Sequence, residues 1–279
     1  MKKHLIVFDL DSTILPSINV MAKGTAEAVH RASAAGHIVI ASSARPWEMF
    51  RWVYEELGLN TPVSTINGSY IFNPTDPTFP EKEVVMSRET VRTLLEACGD
   101  DCAPTYIEHR GKLYHTDGPH NGYYVERMKV SVPAIRFDRA SLPDTPGSRF
   151  ILTPKTLEAE ERVLNAAKTL GNVVPSVWNM PFDNDPDKFF HRMSIGPVGA
   201  DKWESLKYIA EYYDIPIEDC YAFGDNWNDY KMIQNAGHGY ALLGSEAARE
   251  PGIKNVTRLR CAEGGVAEVI EREILKLHH

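Results

Sequence analysis

Residues 5–8 (LIVF) are four apolar side chains in succession, and Asp9, Leu10, Asp11, Ser12 and Thr13 follow at once. A run without polar alternation reads as a strand covered on both faces, the kind that lies inside a parallel sheet. Parallel strands need long crossover connections, so helices should alternate with strands and lie on both faces of the sheet. The same stretch poses a problem. Two carboxylates two positions apart at the rim of a core are costly unless a cation or a proton meets them.

The expected alternation is present at both ends of the chain. Residues 19–36 read as a helix with a glycine stop, followed by strand HIVIAS and a helix from Pro46 to Leu57 with proline in its first turn. Strand PVSTI, a turn at Asn67-Gly68 and the short run SYIF complete the first segment. From Met193 the pattern returns: a helix over 202–213, strand CYAF, a helix over 227–234, strand GYALL and a last helix over 265–277. In between, the proline-rich link NPTDPTFPEKE leads to a different texture. There, helices over 87–98 and 156–170 stand beside strand runs PTYIEHR, GKLYHT and NVVPSVW. The expected fold class is therefore α/β, a Rossmann-like parallel-sheet core with an inserted α+β cap domain. The core is expected from residues 1–80 and 190–279, and the cap from 81–189.

Composition excludes several classes of partner. Thirty Lys and Arg stand against 38 Asp and Glu, a net charge of −8 with no basic block, so nucleic acid and anionic membranes are not expected. No apolar stretch reaches the roughly 18 residues of a membrane span. The apolar run after MKKH is too short and too quickly acidic for a signal peptide. Four dispersed cysteines do not make a disulfide framework, so a cytoplasmic location is the default. No protein partner is expected.

In open parallel sheets, sites form at the carboxyl ends of the strands. Those ends deliver Asp9, Asp11 and Thr13; Ser42, Ser43 and Arg45; Asn67 and Gly68; and Asp225, Asn228 and Asp229, with Lys202 at a nearby helix start. Carboxylates, hydroxyls and amides with one lysine suit a hard divalent cation such as Mg²⁺ together with a phosphate. Asp9 and Asp225 can bind the cation, which answers the problem of the clustered charge. An ionised carboxylate can attack phosphorus to give an aspartyl-phosphate without an activating base. The leaving alkoxide then needs a proton, and Asp11 is placed to supply it.

These residues carry a resemblance. DLDST resembles the first motif, DxDx(T/V), of the haloacid dehalogenase superfamily; SSAR resembles its second-motif hydroxyl, Lys202 its third-motif lysine and GDNWND its fourth-motif acidic pair. IASSARP, INGSY, IGPVGADKWESL and YAFGDNWNDYKMI resemble segments of the Cof-type phosphatases within it, and 23 positions from Lys202 to Asp225 suit that family. The resemblance implies a large αββ-type cap that closes over the substrate. It implies Asp9 as nucleophile and Mg²⁺ ligand, Asp11 as acid/base and as a metal ligand through its main-chain carbonyl, and Asp225 as the remaining ligand. Asp229 would support them, or support Lys202 from behind. Leu10 and Ala44 N–H groups, Ser43, Lys202 and Asn228 would bind phosphate, with Arg45 and Asn67 possible on the substrate side. Ser12, Ala44 and Trp203 stand where most members have glycine. Ser42 leaves a one-residue ambiguity about the phosphate hydroxyl, resolved toward Ser43 because it directly precedes the Ala-Arg pair.

The implied activity is a Mg²⁺-dependent phosphatase acting on a small phosphorylated metabolite, with sugar phosphates first and cofactor phosphates next. A hexose phosphomutase shares the two-aspartate chemistry, and a phospho-acceptor signalling module also phosphorylates an Asp beside Mg²⁺. Asp11 and a cap of this size argue against the signalling module. Other clusters have plainer readings: His109, His115 and His120 match no zinc spacing, Cys98 and Cys102 read as buried thiols, and DNDPDK lacks the glycine and glutamate of a calcium loop.

Overall fold

The computed structural model describes residues 2–116, 134–182 and 185–276. Along the chain come β1 (Leu5–Phe8), α1 (Thr25–Ala34), β2 (Ile38–Ala41), α2 (Arg51–Glu56), β3 (Val63–Thr65), β4 (Tyr70–Phe72), β5 (Lys82–Glu83) and α3 (Arg88–Cys98). Next are β6 (Cys102–His109), β7 (Lys112–His115), β8 (Ala134–Arg136), β9 (Arg149–Pro154), α4 (Leu157–Leu170), β10 (Val173–Phe182) and β11 (Asp185–Pro197). The last are α5 (Lys202–Tyr212), β12 (Cys220–Gly224), α6 (Tyr230–Asn235), β13 (His238–Ala241), β14 (Asn255–Val256) and α7 (Gly265–Val269).

The chain divides into two compact units. One holds residues 1–45, 50–82 and 201–279, and the other 46–49 and 83–200. In the first, five parallel strands run in the order β14-β13-β12-β1-β2. All four residues of β1 are buried, as a strand covered on both faces requires. One face of this sheet packs Leu5, Val7 and Ile40 with Leu206, Ile209 and Ala210 of α5. α1 packs with β2 and with α7, whose last turn continues as a π-helix over Ile270–Ile274.

Two expectations change here. The helix read from Asn19 starts only at Thr25, after Gly24 in a left-handed conformation. Residues 12–22 instead fold back on the end of β1, where the N–H groups of Ile14 and Leu15 donate to the Leu10 carbonyl and that of Ala22 to the Ile14 carbonyl. Short-range amide pairing thus replaces the first helical turns. β3 is not a full member of the parallel sheet. It forms a hairpin with β4 and meets the end of β2 through a single parallel bridge, Ser42 with Ser64.

In the second unit, six strands run in the order β10-β11-β9-β6-β7-β8, antiparallel except for the β7–β8 pair. Val91, Leu94 and Leu95 of α3 and Ala159 and Val163 of α4 pack on Ile107, Phe150, Leu152, Met193 and Ile195 of the sheet. Ser87 caps α3 by accepting from the Thr90 N–H, and Thr156 caps α4 through Ala159. The boundary expected between residues 189 and 190 falls inside β11, and the compact unit runs on to Ala200. The reason is pairing: β11 hydrogen-bonds along β10 and β9, so it cannot be divided between units. His120, Tyr123 and Tyr124 and the start of DNDPDK lie outside the described residues. Among those described, no helix is long and apolar enough to cross a membrane.

Candidate active site

β1, β2 and β12 end side by side, because Asp9 N–H donates to the Phe223 carbonyl and Ser42 N–H to the Phe8 carbonyl. This register brings Asp9 beside the loop after β12. The backbone turns sharply past Asp11: Ser12 sits at φ +57°, the left-handed region that favours glycine. That conformation accounts for the glycine common at this position in the resembled family. Thr13, two residues beyond Asp11, donates its hydroxyl to Asp225 Oδ1 at 3.2 Å.

The loop after β12 is built around Asp229. Its Oδ2 accepts from the N–H groups of Asp225 (3.0 Å) and Asn226 (3.2 Å), and its Oδ1 accepts from Lys202 Nζ at 2.6 Å. Such an approach requires Gly224, where any Cβ would sit 2.3 Å from the Asp229 Cβ. Lys202 opens α5 behind the Asp201 cap and is completely buried. Its ammonium also donates to Asp9 Oδ1 at 2.5 Å. One lysine therefore bridges the first and last acidic residues, 193 and 27 positions away in sequence.

Carboxylate oxygens of Asp9, Asp225 and Asp229 all lie within 4.8 Å of one another. Three carboxylates against one ammonium leave about two negative charges uncompensated in a desolvated pocket. The Asp9 carboxyl is accordingly pushed well above the usual carboxylate range, first by burial, with Lys202 opposing the shift and Asp229 and Asp225 adding to it. Asp225 is raised to about 6, by burial and then by Asp229. Burial alone would weaken the Lys202 ammonium's hold on its proton, but Asp229 and Asp9 reverse this and the lysine stays charged. The donor set is all oxygen and the charge deficit equals one divalent cation. The residues therefore fit Mg²⁺.

The other expected site residues fall as follows. Both Asp11 oxygens accept from the Arg45 guanidinium, which is buried and also donates to the Ile18 carbonyl at 3.3 Å, whereas Asp11 itself is half-exposed. Arg45 thus meets Asp11 in this structure. Ser43 is buried, and its hydroxyl accepts from the Arg45 N–H at 3.1 Å. Ser42 is equally buried and its hydroxyl has no partner among the described residues. Leu10 is buried and Ala44 lies between Ser43 and Arg45. Asn228 donates from Nδ2 to Asn67 Oδ1 at 3.1 Å. Trp203 packs with the α5 face of the core and lies under the Lys207 ammonium.

Sequence reading missed the Thr13–Asp225 bond, for which the threonine of DLDST is the available signal. The turn expected at Asn67-Gly68 is present, but its left-handed backbone begins one residue earlier, at Ile66, which no residue pattern announces. In the second unit His109 bonds Glu83 and Thr145, and the two thiols at 98 and 102 are buried and free. Asp9, Asp225 and Asp229 form the one three-residue group suited to a metal among the described residues.

The model of haloacid dehalogenase-like hydrolases matches this sequence over residues 6–270. The chain is a haloacid dehalogenase-like hydrolase. This hydrolase is 26% identical over 279 residues to the 5-amino-6-(5-phospho-D-ribitylamino)uracil phosphatase YitU of Bacillus subtilis, covering 97% of each chain. It is 24% identical to the pyridoxal phosphate phosphatase YbhA of Escherichia coli, covering 89% of this chain and 90% of that one. Its fold matches a solved subclass IIB sugar phosphatase of the same superfamily with a TM-score of 0.75 at 18% identity, over 96% of this chain and 98% of the other.

Proposed function

We propose that this hydrolase is a Mg²⁺-dependent phosphatase that cleaves a small phosphorylated metabolite through an aspartyl-phosphate on Asp9. The observation that carries the reading is the convergence of Asp9 and Asp225 on one another, with Lys202 buried against Asp9. Relatives named for phosphatase activity on phosphorylated small molecules support it.

Lys202 holds Asp9 Oδ1, which fixes the carboxylate and leaves its other oxygen for attack. Asp9 and Asp225 would hold Mg²⁺, with the Asp11 carbonyl. Bound there, the cation neutralises the excess charge, keeps Asp9 ionised and polarises the phosphoryl oxygens. Attack by Asp9 forms its bond to phosphorus as the bond to the leaving oxygen breaks, and Asp11 protonates that oxygen. Asp11 then takes a proton from water, whose oxygen attacks phosphorus, and inorganic phosphate leaves Asp9. Lys202, Ser43 and Asn228, with the N–H groups of Leu10 and Ala44, hold the phosphoryl oxygens. Because Arg45 occupies both Asp11 oxygens, proton transfer requires at least one of those bonds to open.

The deciding experiment is a panel of sugar phosphates and phosphorylated heterocycles assayed for released inorganic phosphate with and without Mg²⁺. Metal-dependent release of phosphate supports the reading, and transfer of the phosphoryl group to another sugar position without release would make the enzyme a mutase. Asp11→Asn is expected to slow alkyl phosphates more than p-nitrophenyl phosphate, whose leaving group needs no proton, by roughly 10²-fold. Equal losses on both substrates would remove Asp11 from the role of acid.

Mg²⁺ should also stabilise the protein, and the effect should depend on pH. The raised Asp225 pKa means that the metal-free fold favours the protonated carboxyl. That contribution is full below the ordinary carboxylate range and is lost as pH rises through about 6. The cation needs the ionised form, so its stabilisation grows over the same interval. Saturating Mg²⁺ is expected to raise Tm by about 5 °C at pH 7.5 and by much less at pH 5. A Tm shift equal at both pH values would contradict binding at Asp225.

A further inference from the structure

Three consecutive residues between β3 and β4 lie in the left-handed region: Ile66 at φ +51°, Asn67 at +54° and Gly68 at +89°. Glycine and asparagine tolerate this region, but a β-branched residue there is a true outlier and strains the backbone. Ile66 is also buried, so the strain is held by its surroundings. A hairpin of this length does not need such a turn for its own closure.

The partners of the turn show where the strain is held. Asn67 N–H donates to the Ser43 carbonyl at 2.9 Å and Ile66 N–H to the Arg45 carbonyl at 3.2 Å, and just before the turn Ser43 N–H donates to the Ser64 carbonyl. Gly68 lies against the start of α5, where an added Cβ would be 2.4 Å from the Asp201 carbonyl oxygen and 2.5 Å from Ser205 Oγ. Asp201 directly precedes Lys202. Ser64 bonds Ser205 through their hydroxyls at 2.9 Å, a second tie between the hairpin and α5. Asn67 Oδ1 accepts from Asn228, in the loop that carries Asp225 and Asp229. One strained turn thus touches the Ser43 loop, the lysine helix and the Asn228 loop.

We propose that the left-handed turn Ile66–Asn67–Gly68 is a positioning device for the phosphate-binding groups, with the Asn67 side chain fixing the Asn228 amide and its backbone fixing the Ser43–Arg45 loop. The proposal rests on the reading of Ser43, Lys202 and Asn228 as phosphate contacts. Asn67 is a positioning residue here. With its own oxygen given to Asn228, it sets which way that amide faces and holds one of its two N–H donors, leaving the other for a phosphoryl oxygen. An amide held before the substrate arrives loses less freedom on binding, and this is the source of the gain.

A double-mutant cycle tests it. Asn67→Gly removes the side chain and leaves a residue at ease at φ +54°, so folding is retained and is checked by Tm. Asn228→Ala removes the partner. Activity is followed as kcat and KM on p-nitrophenyl phosphate with Mg²⁺, and affinity for inorganic phosphate by calorimetry. Each single change is expected to lower kcat/KM roughly tenfold to a hundredfold and to weaken inorganic phosphate binding in parallel. The double variant is expected to be no worse than the worse single, because both remove the same contact. Losses that multiply in the double variant, or an Asn67→Gly enzyme within twofold of wild type, would overturn the proposal while the phosphatase reading stands. Wild-type behaviour of Asn228→Ala would overturn the proposal through the assignment of Asn228. A wild-type protein that releases no phosphate from any monoester would instead overturn the proposed function.

Discussion

Asp9→Asn is expected to lower phosphate release by about 10⁴-fold or more, on every substrate and at every Mg²⁺ concentration. The amide is a poor nucleophile and a weak ligand for a hard cation, so attack and metal binding fail together. The fold should survive. Asp9 is a buried carboxylate whose ionisation is opposed by burial and by two acidic neighbours, and replacing it with a neutral isostere removes that opposition. Tm of the metal-free variant is therefore expected to equal or exceed that of the metal-free wild type, a stability gained where function is lost. Phosphate release by Asp9→Asn above about 1% of wild type would remove Asp9 from the role of nucleophile.

Lys202→Met should be the most destabilising single change in the site. Methionine matches the length and flexibility of the lysine stem, so packing is nearly kept and charge is the main loss. Asp9 and Asp229 then lose an ammonium that bonds both of them in a fully buried position. Breaking a buried ion pair from one side typically costs about 3–5 kcal/mol, because the remaining charges stay buried and unpaired. Urea denaturation of metal-free protein should show that loss, and Mg²⁺ should recover part of it by supplying positive charge to the same carboxylates. A change below about 1 kcal/mol would mean that Lys202 is not the counter-charge of the cluster.

The uninterrupted run at 5–8 announced a buried parallel strand, and β1 is that strand. The helices expected over 87–98 and 156–170 are α3 and α4, and in the structure Ser87 and Thr156 cap them. Local signals failed where the answer lay in which backbone groups pair, near or far in the chain, and not in side-chain pattern. Nothing near Asn19 says that residues 12–22 fold back on Leu10, and nothing near Met193 says that β11 pairs along β10 and β9. Arg45 is a similar case: its type allowed either a substrate contact or an acidic neighbour, and the loop geometry gives it Asp11.

The order of residues by itself determined the kinds of groups available and the strand ends that carry them. Side-chain chemistry and hydrophobic periodicity are local properties, and they survive in a one-dimensional record. Which oxygens Lys202 bridges, the charge left over in that pocket and the left-handed backbone of Ile66 were decided only by the tertiary structure. Those depend on desolvation and on distances between segments up to about 215 residues apart, energies that exist only once the sheet has brought β1, β3, β12 and α5 together.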